Sequence, residues 1–305
     1  MRTRTLPLFA SALLAAGLLP AADSQLLDLV MPGARVLAGI HVGRACDSPL
    51  AASVLEQMQA KSGQLRQLLG ITGLDPCRVV REILVATPGD TAGKAGLALA
   101  AGDFQAVVAA LALAGAKHAD TYRDERVYYD GPERQHALAL LDTSILVAGD
   151  AASVKAALDR RDKPSALPAA LAAKVNRWRA AQDAWVVSAV PPSGLNFQGP
   201  GPAKGVTGSD AFRNISQAAL GVKISTSLDI TAEATAGSAA DAKALADVVG
   251  FLVNLLRSQA GQNPGTAAIA KSAKVSVSGH SVTLTITIPE EALQPPAGER
   301  RRVIV

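Results

Sequence analysis

Hydrophobic and polar positions alternate along much of this chain in short runs, and the runs predict a protein of many strands with helices between them. Val282, Leu284, Ile286 and Ile288 alternate with Thr283, Thr285 and Thr287, the pattern of an antiparallel strand with one buried and one wet face. A partner run, Val275 to Val277, precedes it across Gly279-His280 and predicts a hairpin. The same reading places a strand over 36–42, a hairpin over 121–129 about Asp124-Glu125, and another joining 136–141 to 144–147 through Asp142-Thr143.

Helical spacing enters between these strands. Ser48 and Pro49 suit the N-cap and first position of a helix carrying Leu50, Val54, Leu55 and Met58 on one face. Asp150 is placed to cap a helix striped by Val154, Ala157 and Leu158, and Pro164 stops it. A further helix carries Leu167, Leu171, Val175 and Trp178 and leads to a strand over 184–190. Ser238 and Asp241 form a capping-box-like start to the longest helix. Its expected core stripe is Leu245, Val248, Val249, Leu252, Leu255 and Leu256.

The order of elements recurs. From Asp75 the chain reads as a short helical turn, a strand over 82–87, a second strand over 95–101, then a glycine and a helix over 104–115. A similar string returns 135 residues later: Asp75 and Arg78 become Asp210 and Arg213, and Ala101-Gly102 becomes Ala236-Gly237. Only five of the 28 positions between Asp75 and Gly102 are identical, so recurring spacing, more than shared letters, marks the repeat. Strand, helix, two strands, helix, strand is the split βαβ order. The expected fold class is therefore α+β: two tandem ferredoxin-like (split βαβ) modules, with antiparallel sheets covered by helices. The organisation read from the chain is a signal peptide over 1–24, a first module with a helical insertion over 25–165, a second module over 166–289, and a C-terminal tail over 290–305. The Pro- and Gly-rich stretch 191–209 takes the place of the insertion in the second module and reads as an exposed loop.

The first 24 residues change the picture of where the protein works. Arg2 and Arg4, the apolar run from Leu6 to Leu19, and Ala22-Asp23-Ser24 have the form of a cleavable export signal. The expected location is periplasmic or extracellular. No later run is long and apolar enough to suggest a transmembrane segment. Export also allows a Cys46–Cys77 disulfide, worth about 3–4 kcal/mol by loop closure. Against it, a split βαβ unit puts the end of its first strand and the start of its second at opposite ends of the sheet.

Leu84-Val85-Ala86-Thr87, the segment from Ala148 to Ala157, and Gln182-Asp183-Ala184-Trp185 resemble uncharacterised exported proteins of soil bacteria. The resemblance extends over most of the chain after residue 24. It implies export and internal duplication and carries no activity.

Composition and motif then narrow the chemistry. The formal charge of +4 and an aromatic content of 3% come without clustered Lys and Arg, so nucleic-acid binding is not expected. No Gly-x-Ser-x-Gly elbow occurs. His41, His118, His136 and His280 stand apart with no His-x-x-x-His or Cys-x-x-Cys, so no metal site is expected. Gly89 to Lys94 departs from a phosphate loop in length and has Ala95 where Ser or Thr is needed; Gly199, Gly201 and Gly205 miss the dinucleotide spacing. No cofactor follows from either. Asp159, Asp162 and the Asp124-Glu125 pair lie in charge-mixed turns of the kind that form solvated faces. Tyr122, Tyr128 and Tyr129, all the tyrosines of the chain, stand on one hairpin and offer either cross-strand packing or a contact surface. The expected function is an exported, non-catalytic binding or scaffold protein whose partner is a protein or an apolar ligand. The alternative is an exported, hydrolase-like enzyme with a dispersed site. The ending Val303-Ile304-Val305, beyond Pro295-Pro296, reads as a disordered tail or as a segment that a strand-adding groove would capture.

Overall fold

In a computed structural model the described residues are 25–48, 75–89, 96–107, 118–190, 212, 214–259 and 264–292. The expectations for the export signal, the insertion from 49 to 74, the loops 90–95 and 191–209, the helix beyond 107 and the C-terminal tail beyond 292 lie outside them.

The chain is a mixed α/β protein built on one large antiparallel sheet. In chain order its strands are β1 (Val36–His41), β2 (Val80–Thr87), β3 (Leu97–Gly102), β4 (Ala119–Tyr122), β5 (Glu125–Tyr129), β6 (His136–Leu141), β7 (Ile145–Asp150), β8 (Ala184–Ser188), β9 (Ile215–Ile224), β10 (Ser227–Ala236), β11 (Lys274–Ser278) and β12 (Ser281–Pro289). The helices are α1 (Gln25–Asp28), α2 (Val42–Cys46), α3 (Pro76–Val79), α4 (Ala151–Leu158), α5 (Ala169–Ala181), α6 (Ala239–Gln259) and α7 (Pro264–Ser272). The twelve strands stand in the order β11-β12-β10-β9-β8-β1-β2-β3-β7-β6-β5-β4.

Local chemistry accounts for most of these elements. Arg123 and Asp124 both take positive φ (50° and 64°), as do Asp142 and Thr143 (48° and 58°), and such pairs turn the β4–β5 and β6–β7 hairpins. Asp150 caps α4 by accepting from the Ser153 N–H at 2.9 Å. Ser238 caps α6 in the same way, accepting from the Asp241 N–H at 3.0 Å while donating its hydroxyl to the Asp241 carboxylate at 2.6 Å.

The pairing corrects the expected topology. A split βαβ unit sets its first two strands parallel with the third strand between them, whereas β2 here runs antiparallel directly beside β1 and lies between β1 and β3. The ferredoxin-like arrangement is therefore not formed. The connection that leaves β1 returns to the same end of the sheet, so β2 runs back directly beside β1 with His41 opposite Glu82. Nor does each half keep its own sheet. β1 and β8 pair with Val36 opposite Ser188 and Ile40 opposite Ala184, and the sheet passes through the expected boundary without a break.

The two halves share a strand order. Outward from the β1–β8 pair the order is β1-β2-β3-β7-β6 on one side and β8-β9-β10-β12-β11 on the other. The antiparallel register sets Ala38 opposite Val186 at its centre. The two halves thus meet about a pseudo-twofold axis perpendicular to the sheet. β2 starts at 80 and β9 at 215, the 135-residue offset seen in the sequence.

The pleat gives the sheet two faces, and each carries its own core. One face presents Leu37, Leu84, Leu99, Val147, Trp185 and Val187, buried under α1, α4 and α5. The opposite face presents Ile215, Ala236 and Val282, buried under Ala242 and Leu245 of α6. These are called the α5 face and the α6 face below. The α6 stripe differs from the expected one: Ala242, Leu245 and Val253 are buried, whereas Leu255 and Leu256 are exposed along with Phe251. The stripe that packs is the one the hairpin below it can reach; Leu255 turns off that face, and Leu256, though in line with it, lies in the last turn of the helix.

Candidate functional site

A continuous apolar band crosses the α6 face. The register links Val275, Leu284, Ala232, Leu220, Val186 and Ala38, then Val85, Ala98, Ala148, Leu138, Tyr128 and Ala119, one residue from each strand. The next row is apolar as well, running Ile286, Ile230, Val222, Ala184, Ile40, Ile83, Ala100 and Leu146. Near the pseudo-twofold axis the band is open to solvent, where Val85 and Leu220 are 42% and 41% exposed. These two residues stand 135 positions apart in the sequence and flank the Ala38–Val186 pair from either side. Exposed apolar side chains on a continuous apolar surface are the usual mark of a binding site.

The α5 face holds a polar joint between the halves. Glu82 stands on β2 at an inward position, in line with Leu84 and Ala86, and is 2% exposed. Arg179 of α5 meets it with both arms of its guanidinium, Nε donating to Oε1 at 2.6 Å and Nη2 to Oε2. A charge buried this deeply requires such a partner. His41 Nε2 lies 2.8 Å from the Arg179 carbonyl oxygen. A carbonyl only accepts, so Nε2 carries a proton, and Nδ1 lies 3.9 Å from Glu82 Oε1. Arg44 donates to the carbonyls of Arg179 and Gln182 at 3.1 and 3.2 Å. Residues of the first half thus cap the C-terminus of a helix in the second, where a cation also suits the helix dipole. Asp183, buried beside them, accepts from the Ile224 N–H at 2.8 Å.

The tyrosines are divided by the pleat. Tyr122 and Tyr129 lie on the α5 face and pack against its core, and Lys155 of α4 stands over both rings at 5.5 and 5.8 Å. Tyr128 lies on the α6 face at the end of the apolar band. The hairpin therefore does not gather its three tyrosines into one contact surface. Tyr122 donates its hydroxyl to Asp159 at 3.1 Å, and Arg123 pairs with the same carboxylate at 2.5 Å. Desolvation pushes the Asp159 carboxyl up, but these two partners outweigh it and hold its pKa below the usual value.

Asp159 borders a shallow depression of about 400 Å³ lined by Arg123, Asp124, Glu125, Leu158, Asp159, Arg161, Asp162 and Lys163. Several of its charges are paired with one another, with Arg161 reaching Glu125 at 2.5 Å and also Asp142.

Cys46 and Cys77 are joined in a disulfide, with their Cα atoms 5.8 Å apart across a separation of 31 residues. The geometric objection to this bond fell with the split βαβ order, because α2 and α3 stand at the same end of the antiparallel β1–β2 pair. The histidines stay apart: His41 is in the joint, His136 pairs with Asp130 at 2.8 Å, and His280 sits in the β11–β12 turn. Among the described residues no cluster of His, Cys, Asp or Glu could hold a metal ion. No described helix is long and apolar enough to cross a membrane. The Glu82–Arg179 pair was not singled out in the sequence. The available signal was the position of Glu82, a carboxylate on the inward side of a strand that is otherwise apolar there.

Fold and surface together define a class: a wide, fully antiparallel sheet with helices on both faces and an apolar band along one of them. Among solved structures, crystal form III of TP0453 is similar, with a TM-score of 0.56 at 12% identity over 88% of this chain and 95% of that one. Crystal forms IV and I of TP0453 give TM-scores of 0.54 and 0.52 at 10% and 11% identity, each over 88% of this chain and 94% of that one. At such identity the likeness is one of fold. The sequence matches no protein-family model, and no curated protein matches it.

Proposed function

We propose that the protein is an exported, non-catalytic binding protein that takes an apolar ligand on the α6 face of its sheet. The observation that carries this reading is the apolar band, continuous over all twelve strands and open at Val85 and Leu220. A soluble protein gains nothing in stability from leaving two aliphatic side chains exposed at the centre of such a band; a ligand that covers them does gain. Export rests on the signal-like residues 1–24, and the resemblance to exported soil-bacterial proteins points the same way. The halves, with their shared strand order about one axis, read as a duplicated unit, and duplication accounts for the paired positions of Val85 and Leu220.

The test is titration of the protein with a fluorescent long-chain fatty-acid analogue. Saturable binding is expected, weakened tenfold or more by Val85→Asp and by Leu220→Asp. Both residues are exposed, so neither change should alter the melting temperature by more than a few degrees. Equal binding by the wild type and both variants would refute the reading.

A further inference from the structure

α6 carries more apolar surface than the sheet beneath it uses, and the surplus lies on one flank. At about 100° per residue, the buried Ala242, Leu245 and Val253 face the sheet. Val248, Leu252 and Leu255 fall on one side of that arc, and Ala244 and Phe251 continue the apolar surface up to a rim turned away from the sheet. Lys243, Asp247, Asn254 and Arg257 fall on the other side. A helix that only packed on a sheet would be polar over all of its outer surface.

Arg257 fixes the direction of each flank. It donates to the carbonyls of Ala270 and Ala273 at 2.9 and 3.2 Å, and Ala273 precedes β11, the edge strand. The polar flank thus faces the edge of the sheet, where Lys243 pairs with Asp247 at 3.1 Å. The apolar flank faces the other way, along the sheet toward β9 and the pseudo-twofold axis. α6 packs chiefly on β11, β12 and β10. The floor in front of its apolar flank is therefore the part of the band that holds Leu220, Val222 and Val186. Leu220 is 41% exposed on this floor and Leu255 36% on the wall.

We propose that this flank and floor form a trench for a single unbranched hydrocarbon chain, the acyl or alkyl tail of an amphiphile. The proposal rests on the apolar-ligand reading above and narrows it. Wall and floor meet along a line, and from Ala244 to Leu255 the wall runs about 16 Å. A rod lying in that corner touches both surfaces over its whole length, whereas a flat ring system touches one and leaves the other bare. Neither apolar row of the band holds a charged residue between β12 and β7, and the wall from Ala244 to Leu255 turns none toward it. A carboxylate or phosphate would lose its hydration here and find no partner. The head of the amphiphile therefore stays in water beyond the trench, and the chain alone is recognised.

Competition against the fluorescent fatty-acid analogue tests the proposal on the full chain, with straight-chain alcohols from octanol to hexadecanol, the matching acids, and cholesterol. Affinity should rise about two- to fourfold per methylene and level off once the chain outgrows the wall. Alcohol and acid of equal length should bind alike, and cholesterol tenfold or more weaker than hexadecanol. Val248→Asp and Leu255→Asp should each weaken chain binding tenfold or more, because a charge enters the wall. Asn254→Asp, the same charge on the polar flank, should leave it unchanged. Leu255 is exposed, so its replacement should not shift melting by more than a few degrees. If Val85→Asp and Leu220→Asp weaken the probe but neither Val248→Asp nor Leu255→Asp does, the trench is refuted and the apolar-ligand reading stands. Cholesterol binding as tightly as hexadecanol, or acids binding tenfold tighter than alcohols, would overturn recognition of the chain alone. A wild type that does not bind the probe would remove both.

Discussion

Replacing Arg179 with methionine should be among the most damaging single changes available in this chain. The side chain is 7% exposed and its partner Glu82 2%, so methionine keeps much of the packing volume and removes the counter-charge. Glu82 is then left as a buried carboxylate without its guanidinium, a situation that costs about 3–5 kcal/mol. The hydrogen bond from His41 goes to the Arg179 backbone carbonyl and survives the substitution. At about 2 °C per kcal/mol for a chain of this size, melting should fall by roughly 6–10 °C. The decisive assay is a double-mutant cycle in urea with Arg179→Met, Glu82→Leu and the two together. Each single change should be costly, and the double variant should recover most of the loss, because no uncompensated charge remains. If Arg179→Met cost less than about 1 kcal/mol, or if the double variant lost the sum of the singles, Glu82 would not depend on Arg179 and the joint would have been misread.

Three further predictions follow from separate features. Replacing Cys46 and Cys77 together with serine should cost about 3–4 kcal/mol, since the bond closes a loop of 31 residues; denaturation of the variant beside the oxidised wild type measures it. Gly39→Ala would place a Cβ 2.6 Å from the ring of the buried Trp185, so a loss of about 1–3 kcal/mol and a changed tryptophan emission are expected. Asp150→Ala removes the α4 cap and should cost about 1 kcal/mol at neutral pH. Desolvation raises the Asp150 carboxyl and the Ser153 hydrogen bonds more than reverse it, leaving its pKa lowered. A lowered folded pKa stabilises above the unfolded value of about 3.9 and ceases to do so as pH falls through the folded one, so the wild-type advantage should vanish in strong acid. A constant difference between the two proteins from pH 7 to pH 2 would contradict this.

Residues acting on their immediate neighbours were legible in the sequence. Asp150 caps α4 through Ser153, Ser238 and Asp241 open α6, and Gly279-His280 turns the last hairpin, all because the partners lie within a few positions. The alternation from Val282 to Ile288 named the buried face of β12 for the same reason, since side-chain direction in a strand depends only on parity. Strand pairing is different, because it depends on which end of the sheet the chain returns to. Helix and strand order alone suited a split βαβ unit; the return of β2 beside β1 replaced it with an antiparallel pair and brought Cys46 to Cys77. Likewise β8 joined β1 edge to edge, because each half left an unpaired strand whose backbone groups needed partners. That union set Val85 and Leu220 on one surface, and the packing of α5 on the opposite face brought Arg179 onto Glu82. Through contacts a few residues long the sequence determined most elements and the buried face of β12, though not the packed stripe of α6. Which elements meet was decided by tertiary structure, because backbone pairing and charge burial are satisfied between segments that lie, as Glu82 and Arg179 do, 97 residues apart.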